Sequence, residues 1–283
     1  MTPPPRPLRI LHAGSLQRLL HDDLIPLFER RARCPCESVS GSSRALARAI
    51  RDGSAKADVF LSADAEVIQT ELTRTAHPSL VDACVVFATN AMVVALSDAG
   101  PHAAFVRKAL AGEVGLLEVL QAGLRIGRPD PDDDPKGYRT LFALQLLERH
   151  AGAPGLAPRL LGPPRNPDQM FPVPALIPML RRGEIELLVT YRSQVAEEGL
   201  PFLPLPPEAN LEPPDLANHY ATATHRCADG TVYCGSPISY AAAGVKGGAA
   251  ARREFVEFLR KPEARRAMLQ HGFSPTWRMV GIP

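Results

Sequence analysis

Three short segments of the chain place glycine or small hydroxyl side chains at the predicted start of a helix. They are Gly14-Ser15, Gly41-Ser42-Ser43 and Lys136-Gly137-Tyr138. A helix N-terminus presents unpaired N–H groups and a partial positive charge, glycine admits a ligand to the backbone, and serine adds a rotatable donor. Each segment alone is more typical of a plain helix cap. Their recurrence in alternating strand and helix units favours a donor-lined site for an anion.

The histidines and acidic residues form weaker patterns. His12 lies beside the first turn, where a structural role competes with ligand contact. Asp130, Asp132, Asp133 and Asp134 form an acidic run that would suit a hard cation such as calcium. Because the run lacks the glycine and glutamate of an EF-hand loop, a solvated loop is favoured for Asp132 and Asp133.

The five cysteines do not form a disulfide framework, because their number is odd. Cys34-Pro-Cys36 has no second cysteine or histidine pair at zinc spacing. Cys227 and Cys234 flank Asp229-Gly230, which predicts a hairpin turn and leaves a disulfide between them open.

Motifs typical of enzymes are missing from the sequence. It contains no G-x-S-x-G elbow, Walker loop, G-x-G-x-x-G or H-E-x-x-H segment. We therefore expect no catalytic residue, no resident cofactor and no enzyme activity. An α/β transferase acting on an anionic substrate remains the enzymatic alternative.

The bulk composition indicates a globular protein of two lobes. The chain has 283 residues, 22% of them charged, and a net charge of +2. This charge predicts neither nucleic-acid nor anionic-membrane binding, and no apolar run reaches the roughly 18 residues that span a bilayer. No apolar signal region precedes the first strand. Either an export signal has been removed or the protein is cytosolic, and the early first strand favours removal.

Alternating strands and helices at the N-terminus predict an α/β fold, with mostly parallel sheets flanked by helices. An extended apolar stretch over 85–96 suits a chain that crosses between lobes. We therefore predict that residues 1–87 and 200–283 form a discontinuous lobe I, that 88–199 form lobe II, and that the ligand cleft lies between them.

The chain resembles the tungstate/molybdate-binding proteins of ABC importers. The matching motifs occur in family order over nearly the whole chain. They are Leu11-His12-Ala13-Gly14-Ser15-Leu16, Ser40-Gly41-Ser42, Lys56-Ala57-Asp58-Val59, Asp134-Pro135-Lys136-Gly137-Tyr138-Arg139-Thr140, Gly183-Glu184-Ile185, Tyr191-Arg192-Ser193 and Pro237-Ile238-Ser239-Tyr240.

The resemblance implies a type II periplasmic-binding-protein-like fold and a monomer at the periplasmic or cell-surface side of a membrane. Such a protein closes on molybdate or tungstate and delivers the oxyanion to an ABC permease. A cytosolic oxyanion-sensing module and a binder of another oxyanion, such as sulfate, are the alternatives.

In the first predicted lobe, the resemblance assigns oxyanion contacts to Gly14, Ser15 and Ser42, with both serine hydroxyls donating to the ligand. In the second it assigns them to Asp134 and the adjoining Pro135.

The resemblance also implies that the Asp134 carboxylate approaches the metal centre and that Tyr191 donates a hydrogen bond. The family has a second carboxylate immediately before Tyr191, where this chain has Thr190. We therefore expect a tetrahedral, four-coordinate oxyanion, with Thr190 donating to an oxo group. Asp134 is expected either to be held away from the metal by Arg139 or another cation, or to be turned away from the cleft.

Overall fold

The computed structural model describes residues 6–76 and 78–281 and divides into two compact units. The first unit comprises Met1–Asn90 and Ile238–Pro283, and the second comprises Ala91–Pro237. None of the described helices is both long and apolar enough to cross a membrane.

The strands are numbered in chain order over the described residues. They are β1 Leu8–Ala13, β2 Cys36–Gly41, β3 Val59–Ser62, β4 Val81–Thr89, β5 Met92–Leu96, β6 Leu187–Tyr191, β7 Phe202–Pro204, β8 Thr224–Arg226, β9 Val232–Cys234, β10 Ser239–Val245 and β11 Ser274–Val280.

The α-helices of the same residues are α1 Ile25–Ala32, α2 Ser43–Arg51, α3 Ala65–Ile68, α4 Ala103–Leu110, α5 Leu116–Gln121, α6 Pro135–His150, α7 Leu156–Leu161, α8 Val173–Arg181, α9 Arg192–Glu198, α10 Ala217–Tyr220, α11 Ala251–Phe258 and α12 Pro262–Gln270. Short 3₁₀ turns form at Gly14–Leu16 and Pro214–Leu216, and π-helical segments at Leu19–Leu24 and Gln69–Arg74.

The first unit is built on a sheet with the strand order β11-β4-β10-β3-β1-β2 in the described residues. Strand β1 lies in its interior and pairs in parallel with both β2 and β3. Its apolar side chains are buried, as expected for a strand that helices cover on both faces. Phe28 of α1 packs on Phe255 and Phe258 of α11, which fixes two helices to each other beside this sheet.

The sheets are mixed, which corrects the prediction that they are mostly parallel. In the first unit β10 runs antiparallel to both β3 and β4, and β11 runs antiparallel to β4. The reason is that β4 carries the chain out of the unit and β10 carries it back. The predicted α/β class is confirmed.

The second unit contains a small antiparallel sheet with the order β6-β5-β7, whose central strand β5 is buried throughout. Helix α6 is its longest described helix, and buried residues line much of it. The hairpin β8–β9 packs on α6: Gln145 exchanges hydrogen bonds with the backbone of Thr224, and Tyr138 stacks on Tyr233 with ring centroids 4.7 Å apart.

The return of the chain to the first unit comes later than predicted from the sequence. Residues 200–237, assigned to lobe I above, belong to the second unit. They stay there because β7 pairs with β5 and the hairpin β8–β9 contacts α6. Outside these strands, Ile126 forms an isolated parallel bridge with Leu187.

Candidate functional site

Two of the predicted anion-binding turns are neighbours at one edge of the first unit's sheet. Ala13 at the end of β1 pairs with Gly41 at the end of β2. The next residues along the two strands are therefore Gly14-Ser15 and Ser42. Because these strands are parallel, both turns follow carboxyl ends at the same edge, which is where open α/β sheets commonly bind ligands.

The first turn contacts the second. Gly14 and Ser15 are exposed and belong to the 3₁₀ turn Gly14–Leu16. A Cβ atom built on Gly14 would lie 3.6 Å from Ser40 Oγ. The Gly14-Ser15 turn therefore lies next to the end of β2, which leads into Ser42.

Ser42 occupies the N-cap position of α2, yet its side chain makes no capping hydrogen bond. Its backbone is extended, with φ −67° and ψ 129°, and the residue is exposed. A serine that served only as a cap would accept a hydrogen bond from the first turn of its helix. The neighbouring Ser43 does have a structural partner, because its Oγ accepts a hydrogen bond from Ala63 N at 3.1 Å.

His12 is fully buried and has a structural role. Its Nδ1 lies 2.9 Å from the carbonyl oxygen of Ala13, so Nδ1 carries the proton. Burial lowers the pKa of His12, and its Nε2 has no hydrogen-bond partner among the described residues. A neutral ring with an acceptor Nε2 cannot donate to an anion, which favours the structural role over ligand contact.

In the second unit, the start of α6 and the end of β6 bring together a group of polar side chains. Lys136 Nζ donates to Gln194 Oε1 at 2.7 Å, and Arg139 Nη1 donates to Tyr191 Oη at 2.8 Å. Both cations also lie near the Tyr191 ring, 5.8 and 5.7 Å from its centroid. Two positively charged side chains therefore lie beside the phenol of Tyr191, to which the family resemblance assigned a hydrogen bond to the ligand.

Lys136 is the most strongly perturbed group in this cluster. Its side chain is buried, and desolvation lowers the pKa of Lys136 to about 8, against the opposing effect of the nearby Asp134. Lys136 belongs to the third of the segments that favoured an anion site in the sequence, but no ligand contact was assigned to its side chain. It is the second residue of a helix that begins with Asp-Pro.

Asp134 acts as the N-cap of α6. Its Oδ1 accepts a hydrogen bond from Lys136 N at 2.7 Å, and the exposed Pro135 occupies the first helical position, where its missing N–H costs nothing. Arg139, which was expected to hold Asp134 away from the metal, donates a hydrogen bond to Tyr191.

Thr190 is fully buried, and its hydroxyl donates to Gln194 Oε1. The same oxygen accepts from Lys136 Nζ. In this structure Thr190 thus orients the glutamine that holds Lys136. To donate to an oxo group, as expected from the sequence, the Thr190 hydroxyl would have to give up its hydrogen bond to Gln194.

The two groups of side chains contain several hydrogen-bond donors and positive charges. The first unit offers hydroxyls and helix N–H groups, and the second offers an ammonium, a guanidinium and a phenol. Among the described contacts, neither Ser15 nor Ser42 is paired with a histidine or carboxylate that would activate it as a nucleophile.

A family model described as a bacterial extracellular solute-binding protein matches residues 8–274. A putative ABC transporter molybdenum-binding protein of Haloferax volcanii is 34% identical over 246 residues, which cover 87% of this chain and 75% of that protein. A molybdate/tungstate-binding protein of Pyrococcus abyssi is 26% identical over 268 residues, covering 82% of this chain and 73% of the relative.

Among solved structures, the substrate-binding domain of a putative molybdenum ABC transporter from Clostridium difficile superposes with a TM-score of 0.63. The sequences are 15% identical, and the match covers 95% of this chain and 98% of that domain. At this identity the likeness concerns the fold, which is that of a solute-binding protein.

Proposed function

The chain belongs to the bacterial extracellular solute-binding protein family, and on this premise we propose that it captures molybdate or tungstate as a tetrahedral dianion. The protein binds this solute without converting it. Ser15 and Ser42 donate their hydroxyls, and backbone N–H groups at Gly14 and at the start of α2 complete the first unit's contribution.

The observation that carries this proposal is the hydroxyl of Ser42. It stands at the start of a nine-residue helix without capping it, beside the exposed Gly14-Ser15 turn. A hydroxyl that makes no capping hydrogen bond, next to the N–H groups of a helix start, is an arrangement that a fully ionised oxyanion satisfies. A protonated phosphate would also need an acceptor, which donors alone do not provide.

The names of two relatives, a putative molybdenum-binding protein and a molybdate/tungstate-binding protein, support an oxyanion that contains molybdenum or tungsten. In the second unit, Lys136, Arg139 and Tyr191 supply positive charge and a phenol that would favour such a dianion. The position of the ligand between the lobes stays a prediction from the sequence, and variants in each unit test their contributions separately.

We further propose that the protein acts as a monomer on the outer side of the membrane and delivers its oxyanion to an ABC permease. The description of the family as extracellular supports this location. The relatives' association with ABC transporters supports the permease as the partner.

Calorimetric titration of the purified protein with molybdate, tungstate, sulfate and phosphate tests the proposal. We expect dissociation constants in the micromolar range or below for molybdate or tungstate, with weaker binding of sulfate and phosphate. The proposal is wrong if neither metal oxyanion binds, and the ligand is a different one if sulfate or phosphate binds more tightly.

Ser42→Ala and Ser15→Ala test the assigned donors. A hydrogen bond to a charged group contributes about 1.5–3 kcal/mol, so each variant should bind roughly tenfold or more weakly. Ser54→Ala is the matched control, because the exposed Ser54 hydroxyl only meets the carbonyl oxygen of Ala49. Equal affinity in the parent and both variants would show that the serines do not contact the ligand.

A further inference from the structure

A group of metal-ligating side chains lies in the second unit, apart from the residues assigned to the oxyanion. Asp132 precedes α6, His225 is the middle residue of β8, and Cys227 follows that strand. One ligand atom from each of the three lies within 4.8 Å of the other two. His225 and Cys227 are buried, and Asp132 is partly so.

The contacts of Asp132 hold this group together. Its Oδ1 lies 2.6 Å from His225 Nε2, and its Oδ2 accepts a hydrogen bond from Ala228 N at 2.8 Å. Arg165 Nη1 lies 3.5 Å from Oδ2 on the exposed side. The carboxylate therefore ties the hairpin β8–β9 to the loop that leads into α6.

The order of the three groups argues against nucleophilic catalysis. A thiol nucleophile needs the imidazole beside it and the carboxylate behind the imidazole. Here the imidazole Nε2 faces the carboxylate, and the carboxylate also interacts with the Cys227 thiol. The carboxylate thus contacts both the imidazole and the thiol, whereas a triad has the imidazole between the thiol and the carboxylate.

The group also differs from a hard-cation loop. Of the acidic run before α6, Asp130 Oδ1 accepts from Asp132 N, and Asp134 Oδ1 caps α6. Calcium requires six to eight oxygen ligands. A sulfur, an imidazole nitrogen and a carboxylate oxygen are instead the ligands that zinc takes in proteins.

We propose that Asp132, His225 and Cys227 form a binding site for a zinc-class divalent cation, with water as the fourth ligand. Tetrahedral zinc places its ligands about 3.3–3.7 Å apart, so the group needs only small movements to close on the ion. The Cys227 thiol releases its proton to solvent and binds as the thiolate. His225 binds through Nε2, and the metal replaces its hydrogen bond to Asp132.

Charge balance is consistent with this site. One carboxylate and one thiolate neutralise a divalent cation, while Arg165 remains at the outer carboxylate oxygen. The ion would fasten the hairpin to the loop two residues before Asp134, the N-cap of α6. It would thereby add a cross-link within the second unit, and this role is independent of which solute the protein carries.

Cobalt(II) provides the test, because a thiolate bound to Co²⁺ gives a near-ultraviolet charge-transfer band. The EDTA-treated, reduced protein should develop this band with one equivalent of Co²⁺ and lose it on addition of Zn²⁺. Cys227→Ser should abolish the band. Cys234→Ser is the matched control, since Cys234 is an exposed cysteine of the same hairpin, and it should retain the band.

Two outcomes would overturn the proposal. One is a parent protein without the band. The other is a band that survives Cys227→Ser but disappears in Cys36→Ser, which would assign the metal to Cys34 and Cys36.

If circular dichroism shows that Cys227→Ser misfolds, Asp132→Asn replaces it as the test variant. That variant should keep the thiolate band while raising the Co²⁺ dissociation constant at least tenfold, and an unchanged constant would exclude Asp132 as a ligand.

Discussion

At the scale of single residues, the buried Lys136 ammonium is the group whose charge should govern anion affinity. Its pKa of about 8 means that the positive charge is lost as the pH rises through that value. Oxyanion affinity should therefore be constant below about pH 8 and fall up to about tenfold per pH unit above it. Calorimetric titrations with the oxyanion at several pH values measure this dependence of affinity on pH. Lys136→Met is the control, because its side chain does not titrate. A parent protein with flat affinity up to pH 10 would contradict it.

The same lysine should make the free energy of unfolding rise with pH, whereas the anion affinity falls. Its pKa is lowered from 10.5 in the unfolded chain, so between about pH 8 and 10.5 the unfolded state binds more protons. The free energy of unfolding of the ligand-free protein should then rise with pH over this window, relative to Lys136→Met. Denaturant unfolding at pH 8 and pH 10 compares the two proteins, and equal changes in both would exclude a contribution from Lys136.

Thr190 and Asp134 together affect the coordination number expected for the molybdenum or tungsten atom of the bound oxyanion. A six-coordinate ion needs two protein oxygens beyond the four oxo groups. Thr190 replaces one carboxylate with a hydroxyl that Gln194 already engages, and one oxygen of Asp134 caps α6. We therefore expect four short metal–oxygen distances in X-ray absorption of the bound complex. Two additional, longer oxygen distances would show that carboxylates do reach the metal.

At the scale of the elements, the start of α6 depends on a close backbone approach at Gly137. A Cβ atom there would lie 2.5 Å from Asp130 O and 2.7 Å from Pro131 Cα. Gly137→Ala must therefore displace the loop before α6 and should destabilise the protein by about 1–3 kcal/mol. Gly281→Ala is the control, because a Cβ there meets nothing within 4 Å. Unfolding in urea distinguishes them, and equal midpoints would contradict the expectation.

The strands and helix starts around Gly14, Ser15 and Ser42 could be predicted from local sequence. Each is a short apolar run followed by small residues and then by an amphipathic segment. Local sequence did not predict the contact of Lys136 with Gln194, since 58 positions separate the two residues and only tertiary packing joins them. Likewise, nothing local in residues 200–237 reveals that β7 pairs with β5. The π-helical segment after the first turn also escaped prediction, because its apolar spacing resembles that of an α-helix.

At the scale of the whole molecule, the position of β10 has a consequence for the order of folding. This strand lies between β3 and β4 but is made after the entire second unit. The first unit's sheet cannot be completed until the last part of the chain is available, whereas the second unit is continuous. Closing so long a loop is entropically costly and slow.

In pulsed hydrogen exchange during refolding, amides of β5 and β6 should become protected before those of β3, and the reverse order would contradict this order of folding. During synthesis, the segment carrying Ser15 and Ser42 would accordingly be among the first to be made and among the last to become a binding surface.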